Sequence, residues 1–305
     1  ITVTVGGDGV YALNTTTVTV TVTKVPTTIN VEQLFVSLEA GKNQTTGATL
    51  VPAEAGELTY VSSNTTVAYI ENGLIIANHS GNAVITVSFA GDDKYAAADS
   101  QTIDVSVDLA PASVSASDIT LNVNSTATIT PTTSPDGLEV EYVSADPTIA
   151  EVDANGVVTS HKGGNTTITI KTKADGIHVV NSTVINVTVK KLVTEIIIEN
   201  NEITLNVNDN VTTGATLTPE ALELTYVSSN TTAATVENGL IFANAEGDAV
   251  ITVSFAGDDY YEAADDKTIT VTVKLNDASV SVENATLDLL VDDTFTIVAT
   301  TTPEG

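Results

Sequence analysis

Three features of this 305-residue sequence predict an all-β chain of tandem immunoglobulin-like β-sandwich modules arranged as an elongated rod. The first is composition. Val, Ile and Thr, which suit a pleated and half-buried surface, alternate with polar residues along most of the chain, and no window carries a sustained helical period. The second is a repeat. Thr59–Tyr95 (TYVSSNTTVAYIENGLIIANHSGNAVITVSFAGDDKY) returns 166 residues later as Thr225–Tyr261, and a weaker copy, Glu141–His178, lies midway. Self-similarity at a fixed period decides architecture before any local signal does. The third is punctuation: Gly, Asn and Asp clusters interrupt the alternation at roughly every 8 to 12 positions, the rhythm of a sandwich of seven or eight short strands.

The repeat unit is about 83 residues, with equivalent junctions at Lys24, Asp108, Lys191 and Leu275. The expected organisation is therefore the closing hairpin of a partial module (1–24), three full modules (25–107, 108–190 and 191–274), and the opening part of another (275–305). The first and third full modules are nearly identical and the second diverges, so the larger period is a two-module unit of 166 residues. Junctions are short and two carry Pro, at Pro26 and Pro111, which suits a semi-rigid array better than a flexible string. At ~3.3 Å per strand residue the segment would reach on the order of 130 to 160 Å.

In chain order, residues 1–23 form two alternating runs around a Gly-rich turn, a hairpin. The first full module then predicts strands at Thr28–Val31, Phe35–Leu38, Thr46–Leu50, Leu58–Ser62, Val67–Glu71, Leu74–Asn78, Ala83–Ala90 and Gln101–Val107. Asn72-Gly73 between two of them recurs as Asn155-Gly156 and Asn238-Gly239. Asn-Gly flanked by apolar residues is the strongest short hairpin signal, because both residues tolerate positive φ. Residues 275–305 repeat the opening of the middle module, with Leu287, Leu289, Val291 and Ile297 at the positions of Ile119, Leu121, Val123 and Ile129.

Charge and composition exclude several functions. With 39 acidic and 10 basic residues the formal charge is -29, the wrong sign for nucleic-acid phosphates or anionic lipid. Such a balance gives a solvated, self-repelling surface. There is no Cys, hence no disulfide framework and no thiolate metal site. No run of 18 apolar residues is present, so no helical membrane contact is expected within the segment. The chain starts at Ile1 inside a β pattern, which reads as a piece of a longer protein with signal and anchor outside it.

The run S-S-N-x-x-x-A-x-(I/V)-E-N-G-L-I followed by G-(N/D)-A-V-I-T-V resembles the bacterial Ig-like group 2 repeats of invasins, intimins and other large surface adhesin-like proteins. Val143–Ile170 of the middle module fits that pattern best. The continuation F-A-G-D-D-x-Y-x-A-A resembles a second set of Ig-like repeats, found in very large adhesin-like proteins of methanogenic archaea. Where the group 2 pattern carries Trp before Ser-Ser-Asn, this chain has Tyr60, Tyr142 and Tyr226, which can fill the same slot between sheets while the hydroxyl finds a partner. The resemblance implies a surface adhesin. Fold alone does not give a ligand.

The residues that could carry chemistry are few. Gly-Asp-x-x-Tyr recurs at Gly7-Asp8…Tyr11, Gly91-Asp92…Tyr95 and Gly257-Asp258…Tyr261, and becomes Ala174-Asp175…His178 in the middle module. The plain reading is a turn that caps the sandwich end. The sharper one is a weak Ca²⁺ site from Asp92, Asp93 and Asp99, or Asp258, Asp259 and Asp265, the one ion to consider in a chain with no expected cofactor. His79, His161 and His178 share no repeat position and do not converge. No Ser has a G-x-S-x-G setting or a paired His, and every loop is short and repeated, so no catalytic residue is assigned. Glu139 and Glu141 share one strand face, expected to be solvent. A Lys–Asn isopeptide link is disfavoured, since Lys24, Lys190 and Lys274 recur only at module ends. N-x-(S/T) sequons are dense, at Asn14, Asn43, Asn64, Asn78, Asn124, Asn165, Asn181, Asn186, Asn210, Asn230 and Asn284, and read as glycan acceptors of an exported protein.

Three functional readings follow, all non-catalytic for this segment. The first is a stretch of an extracellular, cell-surface adhesin-like protein, a glycoprotein stalk for spacing, display and adhesion. The second is a subunit of an extracellular filament or surface layer. The third is a set of accessory repeats in a large secreted polysaccharide-degrading enzyme. Expected partners are neighbouring modules or copies of the chain, and host or other cell-surface glycans or proteins; nucleic acid is not among them.

Overall fold

The computed structural model of the chain describes residues 1–219, 222–283 and 285–302. Among these the elements are strands throughout, apart from a 3-10 turn at Ala53–Ala55. The leading hairpin pairs β1 (Thr2–Val5) with β2 (Asn14–Thr17). Its second arm stops at Thr17, although the alternation runs on through Val22. Val18, Val20 and Val22 are exposed, and a two-stranded ribbon without a covered face is marginal in water.

Three sets of strands follow. The first comprises β3 (Thr28–Val31), β4 (Phe35–Glu39), β5 (Asn43–Thr45), β6 (Ala48–Val51), β7 (Thr59–Ser62), β8 (Ala68–Glu71), β9 (Leu74–Ala77), β10 (Gly81–Phe89) and β11 (Ala98–Asp108). The second comprises β12 (Ser113–Ser115), β13 (Ile119–Asn122), β14 (Thr126–Thr128), β15 (Thr132–Ser134), β16 (Val140–Ser144), β17 (Ala150–Val152), β18 (Val157–Ser160), β19 (Gly164–Thr172) and β20 (Ser182–Lys190). The third comprises β21 (Glu195–Ile198), β22 (Glu202–Asn206), β23 (Asn210–Thr212), β24 (Ala215–Thr218), β25 (Thr225–Ser228), β26 (Ala234–Glu237), β27 (Leu240–Ala243), β28 (Gly247–Phe255) and β29 (Ala264–Lys274). A last hairpin pairs β30 (Ser279–Val282) with β31 (Ala299–Thr302).

Each set builds the same sheets. A four-stranded sheet runs β4-β11-β10-β7, then β13-β20-β19-β16, then β22-β29-β28-β25. Its first pair is parallel and its central hairpin antiparallel. A three-stranded sheet runs β5-β9-β8, β14-β18-β17 and β23-β27-β26, accompanied by the pairs β3-β6, β12-β15 and β21-β24. The long hairpin strands alternate buried with half-buried or exposed residues, so one sheet face is dry and the other reaches solvent. A bulge between Val87 and Phe89 recurs between Val253 and Phe255.

The chain groups into two compact units. One is Ile1–Ser117 with Thr130–Tyr142 and Thr169–Val184; the other is Asp118–Ile129, Val143–Ile168 and everything from Ile185 onward. The strands of the second set are thus divided between the two. In the first unit a core gathers Ile29, Val36, Leu50, Ile75, Ile85, Val87, Ile103 and Val105 from both layers of the first set, with Ile177 packed against it. In the second unit Ile196, Leu217, Ile241, Ile251, Val253, Ile269 and Val271 form the corresponding core.

One expectation from the sequence needs correction. The strand expected at Thr46–Leu50 is β6 at Ala48–Val51, and a separate strand, β5, precedes it at Asn43–Thr45 because the chain changes sheets between them: β5 pairs with β9 and β6 with β3. Gly47 turns the corner at φ +61, and Gly214 does so at φ +63 in the third set.

Candidate functional site

The recurring Gly-Asp-x-x-Tyr stretch is the loop that joins the two long strands of each four-stranded sheet. One carboxylate oxygen shapes it. Asp92 Oδ1 accepts hydrogen bonds from the amides of Lys94 (2.8 Å) and Tyr95 (2.7 Å). Asp258 Oδ1 accepts from Tyr260 (2.7 Å) and Tyr261 (2.8 Å), and Asp8 Oδ1 from Val10 and Tyr11 at 2.9 Å each. The middle module keeps the motif's geometry without its glycine: Asp175 Oδ1 accepts from Ile177 and His178, both at 2.8 Å. This is an Asx turn, the local substitute for a backbone turn.

Hydrogen bonds to the charged form lower a carboxyl pKa. Asp92 and Asp8 are held below the usual carboxylate range, chiefly by the Tyr95 and Tyr11 amides respectively. Asp175 is held far below it, first by the His178 ring at 2.6 Å and then by the His178 amide. Gly91 and Gly257 adopt φ +75 and +76, and a Cβ there would lie 2.6 Å from Ala97 N and 2.7 Å from Ala263 N, so glycine is required.

The shaped loop grips the linker that enters its own sandwich. Val25 N–H donates to Lys94 O and Ala96 N–H to Val25 O, both at 2.9 Å. Ala110 is held in the same way by Ile177 and Val179, and Leu192 by Tyr260 and Glu262. Thr27 and Thr194 add hydroxyl bonds to Ala96 O (2.8 Å) and Glu262 O (2.9 Å). Tyr95 is buried beneath the loop and Tyr261 half-buried, while Tyr11 is exposed.

The carboxylates considered for Ca²⁺ come from two elements in each module. Asp92 and Asp93, like Asp258 and Asp259, lie in the loop, whereas Asp99 and Asp265 lie on β11 and β29. Among the described residues no group of three or more His, Asp or Glu is arranged to hold a metal ion. The histidines stay apart in role: His79 Nδ1 lies 3.2 Å from Thr66 O, His161 lies 3.6 Å from a Glu151 oxygen, and His178 pairs with Asp175. Lys171 and Lys173 pair at the surface with Glu141 (3.4 Å) and Glu139 (3.1 Å), so these four charges share one solvent-facing patch.

The aromatic positions join the sheets. Tyr60, on β7, packs against the first core and accepts a hydrogen bond at 3.4 Å from the Thr46 hydroxyl at the corner of the opposite layer. Tyr226 packs against the other core, and its hydroxyl lies 3.1 Å from where a Cβ of Gly239 would stand. Gly239 therefore serves the turn and also makes room for Tyr226, a double role the sequence does not signal. Tyr142, on β16, is half-buried.

Asn72-Gly73 and Asn238-Gly239 are two-residue turns with both φ values positive: 50 and 74, then 49 and 75. Asn155-Gly156 departs from this. Only Gly156 is positive, at φ 78, and the loop widens to Asp153–Gly156 because Asp153 Oδ1 accepts from the amides of Asn155 and Val157. Asp153 stands where the first module has Ile70, a strand residue.

All ten sequon asparagines among the described residues are exposed, and Asn284 lies outside them. Asn14, Asn43 and Asn210 begin short strands, Asn165 is on β19, and Asn124 turns the chain at φ 57. Asn64 and Asn230 occupy one loop in related modules, each Oδ1 accepting an amide at 3.2 Å from the residue two positions on. The Nδ2 groups of Asn78, Asn181, Asn186 and Asn230 donate to Thr66 O, Ala112 O, Asp118 Oδ2 and Asp248 O.

Residues 105–184 match the model of the bacterial Ig-like domain (group 2) family. The chain matches no curated protein sequence. Among solved structures it is similar to Drosophila N-cadherin EC1-4, at 12% identity over 83% of this chain and 76% of that one, with a TM-score of 0.28. It is also similar to domains 1-6 of the surface layer protein SbsC, at 16% identity over 90% of this chain and 48% of that one (TM-score 0.27). Sidekick-1 immunoglobulin domains 1-5 match at 12% identity over 81% and 58% (TM-score 0.29). The chain thus spans about half the length of the surface layer structure. With its three like sets of sheets, it is an all-β protein of tandem immunoglobulin-like β-sandwiches.

Proposed function

We propose that the chain is a segment of an extracellular, cell-surface adhesin-like protein, with modules 25–107, 108–190 and 191–274 serving as a repetitive stalk for spacing, display and adhesion. The observation that carries this reading is the threefold recurrence of one sheet order, joined by linkers that each loop grips through the same pair of backbone bonds. Repetition of one scaffold suits distance and presentation better than chemistry at one place. The exposure of every described sequon suits a glycoprotein. The motif F-A-G-D-D-x-Y supports kinship with the repeats of methanogenic archaea. Contacts with glycans or proteins of other cells would be made by solvated sheet faces, and catalysis has no part in the reading.

Negative-stain imaging of the native material tests it. Isolated slender particles are the expected result; ordered polymers of fixed width would favour a structural filament or surface layer instead. No helix among the described residues is long and apolar enough to cross a membrane.

A further inference from the structure

Between successive sandwiches one hydrogen bond occurs twice at equivalent positions. Ser80 N–H, in the loop between β9 and β10, donates to Gly176 O in the second sandwich at 2.8 Å. Gly163 N–H, in the loop between β18 and β19, donates to Asp259 O in the third at 2.7 Å. Ser80 and Gly163 are 83 residues apart, and so are Gly176 and Asp259. The first contact lies wholly within one compact unit and the second wholly within the other. The side chains around the two bonds differ. At the first, Ile177 packs against the core of the preceding sandwich, and the His79 ring comes within 3.2 Å of where a Gly176 Cβ would stand. At the second, Lys191 Nζ donates to Asp258 O, and its aliphatic stem covers Gly163.

We infer that the Gly-Asp-x-x-Tyr loop is an intermodular clasp: its Asp turns the carbonyl of the next residue outward to dock on the β9–β10-type loop of the preceding sandwich. The inference is independent of where the protein resides or what it binds. Bonds between backbone atoms survive sequence divergence, which explains why the contact persists although Gly91 becomes Ala174 and Tyr95 becomes His178. The Asp is the constant member, and in all four copies its Oδ1 accepts the amides two and three residues on. Asp175 and Asp258 are positioning residues that act through the carbonyls of Gly176 and Asp259. The partner such a surface fits is another sandwich of the same kind. Asp93 O and Glu246 N–H occupy the two equivalent positions at the outer faces of the first and third sandwiches, and among the described residues neither has a hydrogen-bond partner.

Glu246 therefore supplies an internal control. Residue-resolved amide exchange on the full chain should show Ser80 and Gly163 exchanging at least about tenfold more slowly than Glu246. Asp175→Ala should abolish the protection of Ser80 alone, and Asp258→Ala that of Gly163 alone, with the amides of Ile85, Ile168 and Ile251 still protected. Asp175→Asn, which keeps an acceptor oxygen, should restore the protection of Ser80. Equal exchange at Ser80, Gly163 and Glu246 in the unaltered chain would overturn the inference. So would alanine variants that leave both amides protected. Should a variant lose its strand protection as well, the comparison within the unaltered chain decides alone.

Discussion

Nδ1 of His178 lies 2.6 Å from Oδ2 of Asp175, in the loop where the neighbouring sandwiches place Tyr95 and Tyr261. The ring adds a side-chain donor to a carboxylate that already accepts two amides, and the Asp175 carboxyl is accordingly depressed well below its ordinary range. A carboxyl whose folded value is lowered contributes stability above its unfolded value, near pH 4, and loses it as pH falls through the folded value. Carbon-detected titration should find the Asp175 midpoint well below the ordinary aspartate value. His178→Ala should move the Asp175 midpoint upward, without bringing it to the ordinary value, because the backbone donors remain. An Asp175 midpoint at the ordinary aspartate value would refute this.

Two glycines of the first module separate strain from space. Gly73 (φ +74) has nothing within 4 Å of an added Cβ, whereas Gly91 (φ +75) would place one 2.6 Å from backbone nitrogen. Gly73→Ala should cost about 1–2 kcal/mol, the penalty of a left-handed Ala. Gly91→Ala carries the same penalty plus an overpacking cost of about 1–3 kcal/mol. Urea unfolding followed at Tyr95 would rank them, and equal losses would show that the loop relaxes freely.

The middle hairpin depends on Asp153. Removing its carboxylate leaves the amides of Asn155 and Val157 to solvent, and Asp153→Ala should loosen the β17–β18 turn. Exchange at Val157 should quicken while Leu74, in the two-residue turn of the first module, is unchanged.

Calcium at the loops is tested by thermal unfolding with and without chelator. One oxygen of Asp92 and one of Asp258 already serve two amides each, and the expected result is an unchanged Tm. A site filled at 100 times its Kd would add about 2.7 kcal/mol, so a fall of several degrees would assign calcium to these loops.

Much of the fold was legible in side-chain period and turn chemistry. Alternation located β3, β4, β7 and β8–β11 of the first module to within a few residues, because a half-buried sheet writes its two faces into the sequence. What escaped was decided elsewhere. The corner at Gly47 changes sheets between β5 and β6, strands of three and four residues, and a period of two looks the same on either sheet. Asp153 overrides an Asn-Gly signal through a bond to its own backbone. The candidate loops were visible as a motif, but the Ser80–Gly176 and Gly163–Asp259 contacts join main-chain atoms, which no residue type encodes.

Display outside the cell is open to direct observation with an antibody raised against the folded chain and applied to intact cells of the source organism. Strong labelling of unbroken cells, abolished by brief external protease, is expected. Labelling that appears only after the cells are permeabilised would place the repeats inside.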